Sequence, residues 1–394
     1  MFRNPKRMGR WIIIAVAIGL SCSSQALAKK PEKPYTLVLL PDVEGDTELD
    51  GYANAINEVL IDGQLAAVEV VGSLAGRAYH WWLDFEGNVV TTTPLLPNDQ
   101  VTEAHDVNDD GVIVGGGGIG GAMLPLAWLS LDDEPLELPV PEGITGIAVN
   151  INNHGMVVGL LEDAANSTEM VVVWQLTEGG TGPTVGPLIL SETSTVRPAP
   201  DLNDAGQVVA TVWSPGTIQG QRWSVSWDGV HLTASGPEVL TGTMIDDNGE
   251  PKAVSLEPTA INEAGDICGR YGAVEGPYGV FLLLFDGTLI DLPPLESKRY
   301  LTRSNCAYDL NDAVDPASIQ VVGDVTFYEK RNGREAGWSP AVWQGGNVTD
   351  LEDETAQPDS DVRFVGIDRI SNHGWLSGYA GDITTPRAAV VVPK

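Results

Sequence analysis

The chain has 394 residues, 43% of them hydrophobic, with 54 acidic against 22 basic side chains and a formal net charge of −32 at pH 7. That length can bury a large core unaided, and three cysteines exclude a disulfide-dense miniprotein. The acidic field excludes nucleic acid as a partner, because a polyanion is bound by Lys and Arg that displace its condensed counterions.

Residues 1–28 read as a secretory signal peptide. Arg3, Lys6, Arg7 and Arg10 form a cationic start, Trp11 to Leu20 is apolar, and Ala26-Leu27-Ala28 supplies a small-residue cleavage pattern. The ten-residue apolar core is too short to span a bilayer, which takes about 20 residues. The expected address is therefore the periplasm or the outside, with no transmembrane segment in the mature chain. Cys22 offers lipid anchoring as an alternative, although Leu20 lies one place too late for a good lipobox. Cleavage would leave 18 basic against 54 acidic residues, a net charge of −36.

Residues 29–394 read as one domain built on a phrase that returns seven times: an Asn, then a Gly, then a small apolar run. Two copies read Asn108-Asp109-Asp110-Gly111-Val112-Ile113-Val114-Gly115 and Asn152-Asn153-His154-Gly155-Met156-Val157-Val158-Gly159. The others stand at Asn203, Asn262, Asn311 and Asn372, with a stretched first copy at Asn57. The intervals of 51, 44, 51, 59, 49 and 61 residues match propeller blades of about 40 to 50 residues better than shorter solenoid periods.

Each interval repeats four strand-like pieces. Strand a ends at the Asn and strand b follows the Gly. Strand c carries an aromatic, assigned as Trp82, Trp128, Trp174, Trp227, Phe285 and Trp343. Strand d is apolar, as in Leu289 to Leu292 and Val348 to Leu351, and turns such as Asp286-Gly287 precede it. The predicted fold class is an all-β propeller of seven four-stranded blades. Eight is the runner-up count, because Asp246-Asp247-Asn248-Gly249 adds a hairpin signal in a long interval. The last copy lacks a strand d, and Tyr35 to Pro41 resembles one. Pairing the two would close the ring and remove an exposed edge.

The pattern Ala-Ile-Asn-x-x-Gly-x-Val-Val-Gly with a following Ala-x-Trp strand resembles the HAF repeats of bacterial extracellular proteins. The resemblance covers residues 35–394, is best at Asn108, Asn152, Asn203 and Asn262, and departs at Asn57, Asn311 and Asn372, where Ser377 interrupts the Val-Val-Gly run. It implies a secreted repeat protein and brings no catalytic residue.

Few residues carry ligand chemistry. Asp106, Asn108 and Asp110 open like a calcium loop, but the twelfth place, where such a loop needs a bidentate acid, is Gly117. The copies keep the turn and vary the oxygens, so the phrase reads as a hairpin. None of the five histidines has zinc-site spacing, and neither a phosphate loop nor a Gly-x-Ser-x-Gly elbow is present, so no cofactor is expected. Cys268 stands where other copies have Val114, Val158 or Val209, which suits a buried thiol; a bridge to Cys306 is the alternative. The one cationic cluster comprises Lys298, Arg299 and Arg303 beside Tyr300, with Lys330, Arg331 and Arg334 beside Phe327, Tyr328 and Trp338. In an up-and-down meander these d-to-a and b-to-c connections share the face opposite the Asn turns, so the two loops should be neighbours, suited to an acidic glycan or anionic envelope protein. The expected function is a secreted binding or interaction module. The alternatives are a carbohydrate-active enzyme with acids around the channel, or a purely structural envelope protein.

Overall fold

The repeated phrase folds as a tight turn whose polar side chain is part of the turn. At Asn152 the Gly155 N–H donates to Asn152 O (3.1 Å) and the Asn152 N–H to Met156 O (3.0 Å). Asn152 Oδ1 accepts from the N–H groups of His154 (3.0 Å) and Met156 (2.9 Å). Gly155 sits at φ +72°, where a side chain would be strained. Asn108, Asn203 and Asn262 likewise accept from Val112, Gln207 and Asp266. The first hairpin overruns Asn57 and turns at Asp62-Gly63, and the sixth carries an insertion before Gln320 donates to Asn311 Oδ1 (2.8 Å). The last copy corrects the sequence alignment. Ser371, not Asn372, holds the anchor slot: it accepts from Gly374 N–H (3.0 Å) on its carbonyl and from Trp375 N–H (3.1 Å) on its hydroxyl.

The computed structural model describes residues 33–394 except 97–100, 120–121, 178–183, 246–247, 273–277, 298–299, 331–333, 357–361 and 383–384. It is all-β apart from one short helix. The strands are β1 (Tyr35–Leu39), β2 (Gly51–Ile61), β3 (Gln64–Leu74), β4 (Arg77–Asp84), β5 (Val89–Pro94), β6 (Thr102–Val107), β7 (Ile113–Ile119), β8 (Ala122–Trp128), β9 (Leu136–Glu137), β10 (Thr145–Ile151), β11 (Met156–Asp163), β12 (Thr168–Gln175) and β13 (Val185–Thr193). There follow β14 (Thr195–Val196), β15 (Asp201–Leu202), β16 (Gln207–Ser214), β17 (Thr217–Trp227), β18 (Leu232–Ile245), β19 (Pro251–Ile261), β20 (Ile267–Gly272), β21 (Gly279–Leu283) and β22 (Leu289–Leu292). The chain ends with β23 (Tyr300–Leu310), β24 (Gln320–Glu329), β25 (Glu335–Gln344), β26 (Asn347–Asp350), helix α1 (Leu351–Glu354), β27 (Thr355–Ala356), β28 (Phe364–Ile370), β29 (Leu376–Asp382) and β30 (Thr385–Pro393).

Four antiparallel four-stranded sheets run β2 to β5, β6 to β9, β10 to β13 and β23 to β26. A nine-stranded sheet runs from β14 and β15 to β22; in it β18 pairs β17 up to Leu240 and β19 from Thr241 onward. The extra hairpin signal before Gly249 falls between β18 and β19 of this sheet; Asp246 and Asp247 lie outside the described residues. The fifth four-stranded unit, β28 to β30 plus β1, pairs the two ends of the described chain, with Tyr35 opposite Pro393 and Leu39 opposite Ala389. β27 adds a short parallel pairing to β1.

The glycine that ends the apolar run in six of the seven copies, Ala210 standing in the other, has a steric reason. A Cβ at Gly159 would collide with the carbonyl oxygen of Ile147, and one at Gly323 with that of Cys306, so strand b lies too close to strand a for any side chain there. With Ser371 as anchor, Gly378 fills the same slot in the last copy, and the break read at Ser377 disappears. Between sheets the core is apolar: Val149, Val158 and Val171 of one pack with Leu202, Val208 and Trp223 of the next. The c-strand tryptophans also tie neighbours, Trp81, Trp174 and Trp343 donating Nε1–H to the carbonyls of Pro41 (2.7 Å), Pro139 (2.8 Å) and Pro293 (2.7 Å). Three aromatic assignments therefore shift. Trp81, Trp223 and Phe281 are the buried residues, whereas Phe285 is 66% exposed in a turn. Trp82 is off by one place, which turns the wrong residue inward because strand side chains alternate faces, whereas Trp227 and Phe285 lie four places beyond Trp223 and Phe281, at the end of the strand or past it.

Candidate binding site

The strands that precede the anchors share one irregularity. The residue three places before the anchor is skipped in the pairing to strand b, which makes it a β-bulge: Asn54, His105, Val149, Thr259, Tyr308 and Asp368. In the remaining copy the strand is broken between β14 and β15 and the equivalent residue is Pro200. A bulge turns its side chain out of the regular alternation. All seven of these residues line a single cavity of about 210 Å³. A second opening, about 450 Å³, lies at the turns and is lined by Glu58, Asp109, Asn153, Glu263, Asp312 and Asn372, each one place after an anchor.

Between the two openings lies an acidic layer with one cation. Two places before the anchors stand Asp106, Asp201 and Asp309, which accept the N–H groups of Ile151, Ile261 and Ile370 of other copies (2.8 Å each). Arg369 occupies the equivalent position and reaches both Asp201 and Asp309 at 3.5 Å. Burial pushes the Asp106 carboxyl up to about 6 and that of Asp309 to about 7, with Arg369 pulling both down. Burial lowers the Arg369 pKa, but Asp201, Asp309 and Asp106 outweigh it and the net shift is upward.

Beside the bulge cavity is a groove of about 450 Å³ between the sheet of β23 to β26 and the strands β28 and β29, with Tyr308 and Asp368 lining both. β23 and β28 each carry a second bulge, at Asn305 and Val365, and both residues also line the groove. Its walls are aromatic and acidic: Tyr308, Tyr328, Trp338 and Tyr379 with Asp324, Glu335 and Asp368. Asp324 is satisfied, accepting from Asn305 Nδ2 (2.9 Å) and Cys306 N–H (3.1 Å). Asp368 is different. Its Oδ2 is buried and has no hydrogen-bond partner among the described residues, and burial pushes its carboxyl up to about 7. His105 Nε2 is likewise buried without a hydrogen bond, 3.5 Å from Glu103; burial lowers the His105 pKa and Glu103 opposes it.

The cationic cluster read from the sequence is partly brought together. Tyr300 pairs Glu329 across β23 and β24, Lys330 Nζ donates to Ser297 O (3.2 Å), and Arg303 lies over the Tyr328 ring at 5.6 Å. Arg334 is close by, its carbonyl accepting from Glu329 N–H (2.7 Å). Lys298, Arg299 and Arg331 lie outside the described residues. Tyr328 and Trp338 belong to the groove, whose described lining contains no Lys or Arg. Of the calcium candidates, Asn108 Oδ1 accepts from the N–H groups of Asp110 and Val112, and Asp106 Oδ2 accepts from the N–H of Ile151. Among the described residues no group of three His, Cys, Asp or Glu side chains is arranged to hold a metal ion. Cys268 and Cys306 are free thiols.

No protein-family model matches the sequence, and a search of curated proteins finds no match. Solved structures give distant likenesses. "YCF48 bound to D1 peptide" is 11% identical with a TM-score of 0.47, covering 93% of this chain and 96% of that one. The beta-propeller domain of the Trilobed protease from Pyrococcus furiosus is 8% identical with a TM-score of 0.38, over 74% and 95% of the two chains. The AfRom2 CNH domain is 8% identical with a TM-score of 0.36, over 91% and 99%. Likenesses this weak say nothing about a ligand.

The bulge residues were overlooked in the sequence although the signal was there. With the copies aligned on their anchors, one slot runs Asn, His, Val, Pro, Thr, Tyr and Asp, varied in chemistry, while the residue before it stays small or apolar and the residue after it is mostly Asp, Asn or Arg.

Proposed function

We propose that the chain is a seven-bladed β-propeller of the HAF-repeat kind, closed by β1, exported by its signal peptide, and acting as a binding module whose ligand seats in the groove beside the bulge residues. Seven blades follow if β18 is divided between its two partners. Closure is supported by the β1–β30 ladder and by Glu58, one place past the first anchor in β2, accepting the His373 N–H (2.6 Å) of the last turn. One observation carries the binding role: six matching backbone bulges deliver unlike side chains to one cavity, and an aromatic groove shares Tyr308 and Asp368 with that cavity. A scaffold that repeats its frame and varies what faces a cavity suits recognition.

The test is a glycan and peptide array probed with the purified protein and its Trp338→Ala variant. A specific ligand should bind at least tenfold more weakly to the variant, about 1.4 kcal/mol, with the melting temperature unchanged. Binding that Trp338→Ala leaves intact and Arg303→Ala abolishes would move the site to the cationic cluster. A hydrolytic reading has one observation in its favour: Asp324 and Asp368 line the same groove, and both carboxyls are raised by burial, as a glycosidase acid requires. Release of aryl alcohol from aryl glycosides, lost in Asp368→Asn, would establish it.

A further inference from the structure

Asp368 Oδ2 lacks a donor in a place where buried polar atoms nearly always have one. The adjacent cation does not supply it, because the Arg369 guanidinium is engaged by Asp201 and Asp309. Nor does the groove wall: none of its donors, the hydroxyls of Tyr308, Tyr328, Tyr379 and Thr326, the indole N–H of Trp338 and the amide of Asn305, bonds Asp368 Oδ2, and the aromatic ring faces carry negative potential beside the further acids Asp324 and Glu335. Arg303 already shows what such a wall attracts, lying over the Tyr328 ring at 5.6 Å. The groove, at about 450 Å³, is large enough for a small organic ligand or a long side chain, and the whole molecule carries −32.

Resting on the binding role above, we propose that the groove takes an organic cation, an alkylammonium or guanidinium group whose N–H donors reach Asp368 while its stem lies against Trp338 and the tyrosines. This reverses the ligand charge expected from the sequence, because the aromatic residues flanking the cationic loops face an acidic groove.

Isothermal titration of the purified protein at pH 8 and low salt tests it, with three probes: spermidine, the amide-capped peptide Gly-Lys-Gly, and neutral cellotriose. Saturable binding of spermidine or the peptide is expected, weakened at least tenfold in Asp368→Asn and by added salt. Asp368→Asn removes a charge that burial disfavours and should melt no lower than the parent at this pH. Spermidine binding without peptide binding would assign the cation to a polyamine, and the reverse to a basic peptide. Cellotriose binding that Asp368→Asn leaves unchanged would overturn the cation and keep the binding role. Cation binding indifferent to both Asp368→Asn and Trp338→Ala would overturn the site. If none of the probes binds and the arrays find no ligand sensitive to Trp338→Ala, both proposals fall.

Discussion

The anchor asparagine does two jobs that no other side chain combines. Its oxygen closes its own turn, and its amide reaches the next: Asn57, Asn108, Asn152, Asn203 and Asn262 donate Nδ2–H to the carbonyls of Asn108, Asn152, Asn203, Asn262 and Asn311 at 3.0–3.2 Å. Aspartate keeps the acceptor and loses the donor. Asn152→Asp should therefore fold with its turn intact yet lose about 0.5–1.5 kcal/mol, because the Asn203 carbonyl keeps the Gly206 N–H (3.0 Å) but loses the crossing bond, and a charge is added nearby. Urea denaturation measures this, and an unchanged midpoint would show that the crossing bond contributes nothing. The residue after each anchor adds a second link, the N–H groups of Asp109, Asn153, Asp204, Glu263 and Asp312 each donating to the equivalent side chain of the next copy. The sequence showed the Asn but not its partner, since the bond joins residues 44 to 59 places apart.

At the level of strands, what was legible was what repeats. The turns, the four-strand order and the match between Tyr35–Leu39 and a missing strand could be read because each has a local pattern. Registers could not. Trp82 and Trp227 looked like core aromatics, and only the pairing of Val70 with Trp81 and of Val208 with Trp223 shows which face each ring takes. Bulges are harder still, being a mismatch between two strands that neither sequence displays alone. β1 lends itself to an element-scale test. A chain lacking residues 1–41 would expose the β30 edge and remove the Pro41 carbonyl that holds Trp81. It should either aggregate or melt well below the full chain, and adding back a peptide of residues 33–41 should restore part of the loss. Equal melting temperatures would refute a closing role for β1.

Over the whole molecule the acidic layer sets the response to pH. Asp106, Asp309 and Asp368 carry carboxyls raised to about 6, 7 and 7, above their unfolded values near 4, so the folded state binds protons more tightly than the unfolded one. The stabilisation is full below about pH 4 and is lost as pH rises through 7. The melting temperature should accordingly rise as pH falls from 8 to 5, the reverse of ordinary acid denaturation. Asp309→Asn should flatten that slope, and a melting temperature that falls over this range in both proteins would contradict the account. The location of this layer, unlike its charge, could not be read from the sequence, because its carboxylates come from copies far apart in the chain.

From Asn57 to Asn311 the anchor links run one way: five anchor amides give forward to the carbonyl of the following copy, so that this stretch of the polar rim has a direction. A copy that brings one donor and one acceptor can be exchanged for another without its neighbours noticing. The interchangeable module is thus the stretch from one anchor to the next, which begins inside one sheet and ends inside its neighbour. Duplication or engineering that cuts at sheet boundaries breaks the relay at two places, whereas a cut at the asparagines leaves it continuous.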